Sequence, residues 1–138
     1  MPVKAFFDTN VLIYALAEGD PRSAQAEDLL ASGGELSVQV LNEFVSVARR
    51  KIRMSWKDVR EALDAFRILC PSPLPITIEM HEAALRIAEK HGYSIYDALV
   101  VAAALEAGCA TLYSEDLHDG QTIDGQLTIR NPFASSSG

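Results

Sequence analysis

Val3-Lys4-Ala5-Phe6-Phe7-Asp8-Thr9-Asn10-Val11-Leu12-Ile13-Tyr14-Ala15-Leu16 changes character in mid-run, and that change decides the fold. The apolar and aromatic run Val3 to Phe7 reads as a strand, and the apolar stretch Val11 to Leu16 reads as a helix. A strand feeding a helix through Asp8-Thr9-Asn10 opens an α/β unit. Downstream, Asp20 reads as the N-cap and Pro21 as the first residue of a second helix, which Gly33-Gly34 closes. Glu35 to Val38 reads as a second strand. From Gln39 the positions Val40, Leu41, Phe44, Val45 and Ala48 recur with helical period up to a basic cluster.

Ser55-x-x-Asp58 matches a capping box and opens a helix whose apolar stripe is Val59, Ala62, Leu63, Phe66 and Leu69. Pro71, Pro73 and Pro75 end it and make a connector, since no helix continues through them. Met80, Ala83, Ala84, Ile87, Ala88 and His91 form the next stripe, capped by Gly92. The helix Ser94 to Ala107 is apolar on every side in its middle and therefore belongs inside. Ala110 to Tyr113 and Leu127 to Ile129 read as closing strands.

A chain of 138 residues and 15.0 kDa holds one domain, expected over residues 1–133, with the small polar tail 134–138 expected to fray. Its longest apolar run, Ala98 to Leu105, spans eight residues. A membrane-spanning helix needs about 20. The N-terminal apolar run meets Asp8 too early for a signal peptide, which predicts a cytoplasmic protein. A net charge of −7 and a pI near 4.8 oppose polyanions overall. Yet Arg49, Arg50, Lys51, Arg53, Lys57 and Arg60 put six of the twelve cations into twelve residues. Taken alone, that cluster is a solvated helix end or a local anion-binding patch. Cys70 and Cys109 lie in no C-x-x-C arrangement and read as inert reduced thiols.

Asp8 and Asp116 each follow a strand, and Asp97 lies in the first turn of the internal helix. Ligands of open parallel sheets bind at the carboxyl ends of the strands, where such acids converge. Glu43 joins them as a fourth candidate, since Val40 and Val47 place it beside the apolar stripe of its helix. Each acid also has a local reading: Asp8 as an N-cap, Asp97 as the third residue of a Ser94-x-x-Asp97 capping box, Glu43 as a rim residue and Asp116 as a turn residue. The local reading is weakest for Asp97. Eight apolar residues follow it, no Lys or Arg lies between Lys90 and Arg130, and an unpaired buried carboxylate costs several kcal/mol. A bound cation resolves the charge, and oxygen ligands without His or Cys suit Mg²⁺ or Mn²⁺.

Phe7-Asp8-Thr9-Asn10-Val11-Leu12-Ile13-Tyr14, Asn42-Glu43-Phe44, Tyr96-Asp97-Ala98-Leu99 and Ser114-Glu115-Asp116 resemble, in order, the four acidic motifs of PIN-domain ribonucleases. The likeness is strongest to VapC-type toxins of bacterial toxin–antitoxin pairs, and the acids stand 35, 54 and 19 residues apart. The resemblance implies an α/β three-layer sandwich with a central, mainly parallel sheet flanked by helices. It implies cleavage of RNA phosphodiester bonds with one or two divalent ions, an antitoxin partner and a homodimer. By motif, Asp8, Glu43, Asp97 and Asp116 form the metal-binding and catalytic set, with Asn10 and Ser114 in support. Arg49, Arg50, Lys51 and Arg53 are then candidate RNA contacts. Many relatives continue the last motif as Asp-x-x-Phe. This chain has Asp116-Leu117-His118-Asp119, which makes Asp119 a candidate fifth acid and leaves the division of roles between Asp116 and Asp119 open.

Two other functions compete. A PIN-like module that binds RNA or protein without cutting would keep the fold but has no need of four acids. A haloacid-type phosphatase would use Asp8 as nucleophile, but needs a second Asp where Asn10 stands and a later Lys that is absent after Lys90.

Overall fold

The computed structural model describes residues 4–133, so Val3 of the first expected strand and the tail 134–138 lie outside the described residues. Strand β1 (Ala5–Phe7) leads into α1 (Thr9–Ala15), followed by α2 (Arg22–Ala31) and α3 (Val38–Val47), which continues into a π-helical turn, Ala48–Ile52. Helices α4 (Trp56–Leu69), α5 (Ile78–His91) and α6 (Ile95–Glu106) precede β2 (Thr111–Tyr113), β3 (Thr122–Ile123) and β4 (Leu127–Arg130). The sheet order is β1-β2-β4-β3, with β1, β2 and β4 parallel and β3 antiparallel to β4. The fold is thus α/β with a mainly parallel sheet.

Local chemistry explains most boundaries. The Ser55, Thr77 and Ser94 side chains accept the N–H groups of Asp58, Met80 and Asp97 and so start α4, α5 and α6. Gly92 ends α5 at φ 75°, a conformation glycine adopts at little cost. Every residue of α6 from Ala98 to Ala104 is buried, as its uniformly apolar sequence requires. Helix α5 packs along it, while α1 packs on α2 and α3. Phe44 and Phe66 meet edge to face, their centroids 5.0 Å apart, and join α3 to α4. Among the described residues, no helix is long and apolar enough to cross a membrane. Cys70 and Cys109 are buried free thiols, and burial pushes both up to about 11.

Three sequence expectations need correction. Glu35 to Val38 does not form a strand: Glu35 pairs with Phe6 as a single bridge, and the Ser37 hydroxyl accepts the Val40 N–H at 3.2 Å, which draws Val38 into α3. The bridge brings Gly34 so close to β1 that a Cβ there would meet the Phe7 ring at 2.6 Å. Helix α2 starts at Arg22 rather than Pro21, because Asp20 accepts the Arg22 N–H at 2.9 Å and also binds its guanidinium. Strand β3 has no counterpart among the expected strands. Its turn into β4 carries Asp124 at φ 52° and Gly125 at φ 65°, an Asp-Gly hairpin signal present in the sequence.

Candidate active site

The register Phe7↔Tyr113 aligns the carboxyl ends of β1 and β2, so the next residue on each strand, Asp8 and Ser114, are neighbours. The Ser114 hydroxyl donates to Asp8 Oδ2 at 2.7 Å, and the Thr9 N–H donates to Oδ1 at 2.7 Å. Asp8 is only 4% exposed. Burial raises its pKa from 3.8 to about 6, the Ser114 and Thr9 hydrogen bonds oppose that rise, and the charges of Asp116 and Glu43 add to it. Asp8 does cap α1, but its second oxygen is turned to Ser114.

Glu43 and Asp116 act on Asp8 through their charges, and Asp116 acts likewise on Asp97. Glu43 accepts from Thr9 Oγ1 at 3.0 Å through Oε2 and from Gln39 Nε2 at 2.9 Å through Oε1. Gln39 also donates to the Tyr96 carbonyl at 3.0 Å, which ties α3 to the first turn of α6 beside Asp97. Asp97 itself is half-buried. Its carboxyl lies above the usual range through burial, with the Ser94 hydrogen bond opposing and the charge of Asp116 adding. Asp116 is exposed and accepts from Asn10 Nδ2 at 3.2 Å through Oδ2. The Asn10 Oδ1 accepts the Glu115 N–H at 3.2 Å, and the Ser114 hydroxyl accepts the Asp116 N–H at 3.2 Å. Asn10 and Ser114 therefore hold the Glu115-Asp116 loop over α1.

A cavity of about 450 Å³ opens beside these groups, lined among others by Asn10, Glu43, Asp116, Arg50 and Lys51. Half of the basic cluster expected to contact RNA thus faces the acids. Arg49 turns instead to Trp56, and Arg53 is an exposed residue in the left-handed conformation. Asp119 stands elsewhere: its Oδ1 accepts the Asn131 N–H at 2.9 Å, and it lines a separate cavity with His91, Tyr93, His118 and Gln121. His81 and His118 are exposed. Gln121 Nε2 contacts His91 Nδ1 at 3.3 Å, and the His91 ring stacks on Tyr93.

Sequence reasoning missed Thr9, Gln39 and a second ring of polar groups. Gln39 stands four residues before Glu43 on one helical face, a spacing that signals contact. The second ring has no such signal. Tyr14 donates to Glu115 Oε1 at 3.1 Å and accepts from Arg22 Nη1 at 2.8 Å, while Glu115 Oε2 is buried without a partner.

Among the described residues, ion pairs join Lys4 to Glu35, Arg22 to Asp20 and Lys90 to Asp124, and none involves Asp8, Glu43, Asp97 or Asp116. Nor do three Asp, Glu, His or Cys side chains, among the described residues, stand close enough to form a ready-made metal site. The donor set nonetheless fits a hard divalent cation. It is all oxygen, forms no ion pair among the described residues, and includes a buried carboxylate under the negative charges of Asp116 and Glu43.

The sequence profile of the PIN domain family matches residues 5–118. Solved structures share the fold. VapC20 of Mycobacterium tuberculosis, described as a sarcin-ricin loop cleaving toxin, aligns with TM-score 0.65 and 24% identity over 82% of this chain and 90% of its own. A toxin-antitoxin complex from Klebsiella pneumoniae aligns with TM-score 0.70 and 20% identity over 94% of this chain and 98% of its own. VapBC2 from Rickettsia felis, solved bound to a DNA fragment from its promoter, aligns with TM-score 0.63 and 18% identity over 92% and 98%. No curated protein shows a significant sequence match to the chain.

Proposed function

We propose, from the premise that this chain belongs to the PIN domain family, that it is a divalent-metal-dependent ribonuclease and the toxin of a toxin–antitoxin pair. The observation that carries this reading is the buried Asp8 carboxylate at the carboxyl ends of two parallel strands, under the charges of Glu43 and Asp116 and, among the described residues, without an ion-pair partner. Asp8, Glu43, Asp97 and Asp116 would hold Mg²⁺ or Mn²⁺. An ion held by these residues would supply Lewis acidity toward water and phosphate and charge to offset the developing negative oxygens.

The chain's own residues do the rest. Ser114 and the Thr9 N–H orient Asp8, and Gln39 and Thr9 fix the Glu43 carboxylate. Asn10 holds Asp116 at the cavity mouth. Arg50 and Lys51, on the same cavity, supply the charge that draws the RNA backbone onto an otherwise acidic protein. Complexes of toxin with antitoxin among the structural neighbours support an antitoxin partner. The same reading makes the protein a cytoplasmic homodimer.

Purified protein should cleave single-stranded RNA with Mn²⁺ or Mg²⁺ and not with EDTA, which separates a nuclease from a PIN-like binding module. Its grip on RNA is tested by salt. The double variant R50Q/K51Q should lower the slope of log affinity against log salt by roughly 1.4 on a single strand, about 0.7 for each phosphate that loses its cation. An unchanged slope would remove both side chains from the RNA path.

A further inference from the structure

Trp56 is the chain's single tryptophan, stands at the start of α4, and is 55% exposed. Exposing an indole forgoes the burial that normally stabilises so large an apolar surface, and the capping of α4 does not need it, because Ser55 performs that role. The ring is nevertheless held. The Arg49 guanidinium lies over it, 4.5 Å from the centroid, and Arg49 Nη1 is pinned to the Met54 carbonyl at 2.7 Å.

The backbone between them is unusual. Ala48–Ile52 forms a π-helical turn that ends with Arg53 at φ 61° and ψ 38°, a left-handed conformation that costs a non-glycine residue energy. Such turns concentrate at functional sites. A contiguous basic run divides here. Arg49 goes to the indole, and Arg50 and Lys51, the next residues, go to the cavity that holds Glu43 and Asp116. An exposed aromatic face, backed by a guanidinium whose chain neighbours Arg50 and Lys51 line the acidic cavity, is the combination that binds single-stranded nucleic acid: cations follow the backbone while bases stack on the ring. The charge matches as well, since half of the chain's twelve cations lie in residues 49–60 although the net charge is −7.

We propose that Trp56, held by Arg49, is a base-stacking subsite for single-stranded RNA that leads the strand into the acidic cavity. This rests on the ribonuclease reading above and deepens it. The subsite selects unpaired over paired RNA, because only an unstacked base can lie on the indole. It is a positioning site rather than a catalytic one.

The test uses the full chain in EDTA, so that RNA is bound but not cut, with an end-labelled single-stranded oligoadenylate and its duplex with oligouridylate as probes. Two signals are read together: anisotropy of the label for binding, and emission of Trp56, the single indole, for stacking. The single strand should quench Trp56 in step with the anisotropy rise, and the duplex should bind more weakly with little quenching. W56A should weaken single-strand binding about 5- to 150-fold at an unchanged salt slope, which separates a stacked base from a phosphate partner. W56F keeps an aromatic face and should recover most of the affinity; failure of W56F to do so in a folded protein would contradict stacking. Anisotropy that rises while Trp56 emission stays constant, with W56A binding as wild type, would overturn the subsite and leave the nuclease reading standing. Equal binding and quenching by the duplex would overturn the single-strand assignment. Loss of a co-purifying protein partner by W56A with RNA binding intact would assign the indole to protein contact and overturn the proposal. Absence of any anisotropy change with wild type would overturn the subsite, while cleavage with Mn²⁺ tests the nuclease reading separately.

Discussion

Asp8→Asn is expected to stabilise the metal-free protein by up to about 3 kcal/mol at neutral pH, with the advantage vanishing toward pH 4. The sign follows from proton binding. The Asp8 carboxyl titrates near 6 in the folded chain against an ordinary 3.8, so between those values the folded state holds a proton that the unfolded state has lost. Wild-type stability therefore falls as pH rises through this window and stays reduced above it. The raised Asp97 acts in the same direction. Asparagine carries no charge to desolvate and is itself a good N-cap, so Thr9 keeps its acceptor and the helix start is preserved. Urea unfolding in EDTA at several pH values reads both the size and the window. A variant destabilised by the same amount at every pH would reduce Asp8 to a capping residue.

The same substitution is expected to lower the Mn²⁺-dependent RNA cleavage rate by about 10³-fold or more, because several kcal/mol of charge stabilisation depend on the ion its carboxylate would hold. Asp97→Asn should fall with it. Single-turnover rates on end-labelled RNA, with variant and wild type purified identically, provide the check and expose any contaminating nuclease. Greater stability joined to lost activity is what a site of mutually repelling acids requires, since the arrangement that gathers the charge also strains the fold. Cleavage retained by Asp8→Asn would detach the chemistry from the acids altogether.

The parts of this site that are legible in the sequence are those fixed by local chemistry and strand register. Asp8 and Ser114 each follow a short apolar strand, and a parallel pairing of those strands makes them neighbours. Ser94 and Ser55 announce their helices by capping spacing, and α6 announces its burial by lacking a polar face. The remainder depends on tertiary geometry. Nothing near Tyr14 in sequence indicates Glu115, which lies 101 residues away and meets it only once β2 has paired with β1. The basic run reads as a single patch, yet successive helical residues point in different directions, and Arg49 goes to Trp56 while Arg50 lines the cavity of the acids. Asp119 looks equivalent to Asp116, three residues before it. The chain bends between them, and Asp119 is bound to the Asn131 N–H instead.

The central claim, that these acids form a divalent-metal site, is tested most directly by thermal melts of wild type and Asp8→Asn with EDTA and with Mn²⁺. Wild type should gain about 2.7 kcal/mol at a Mn²⁺ concentration one hundred times its dissociation constant, and the variant clearly less. A wild type whose melting Mn²⁺ does not move, or a variant that gains as much as wild type, would contradict it.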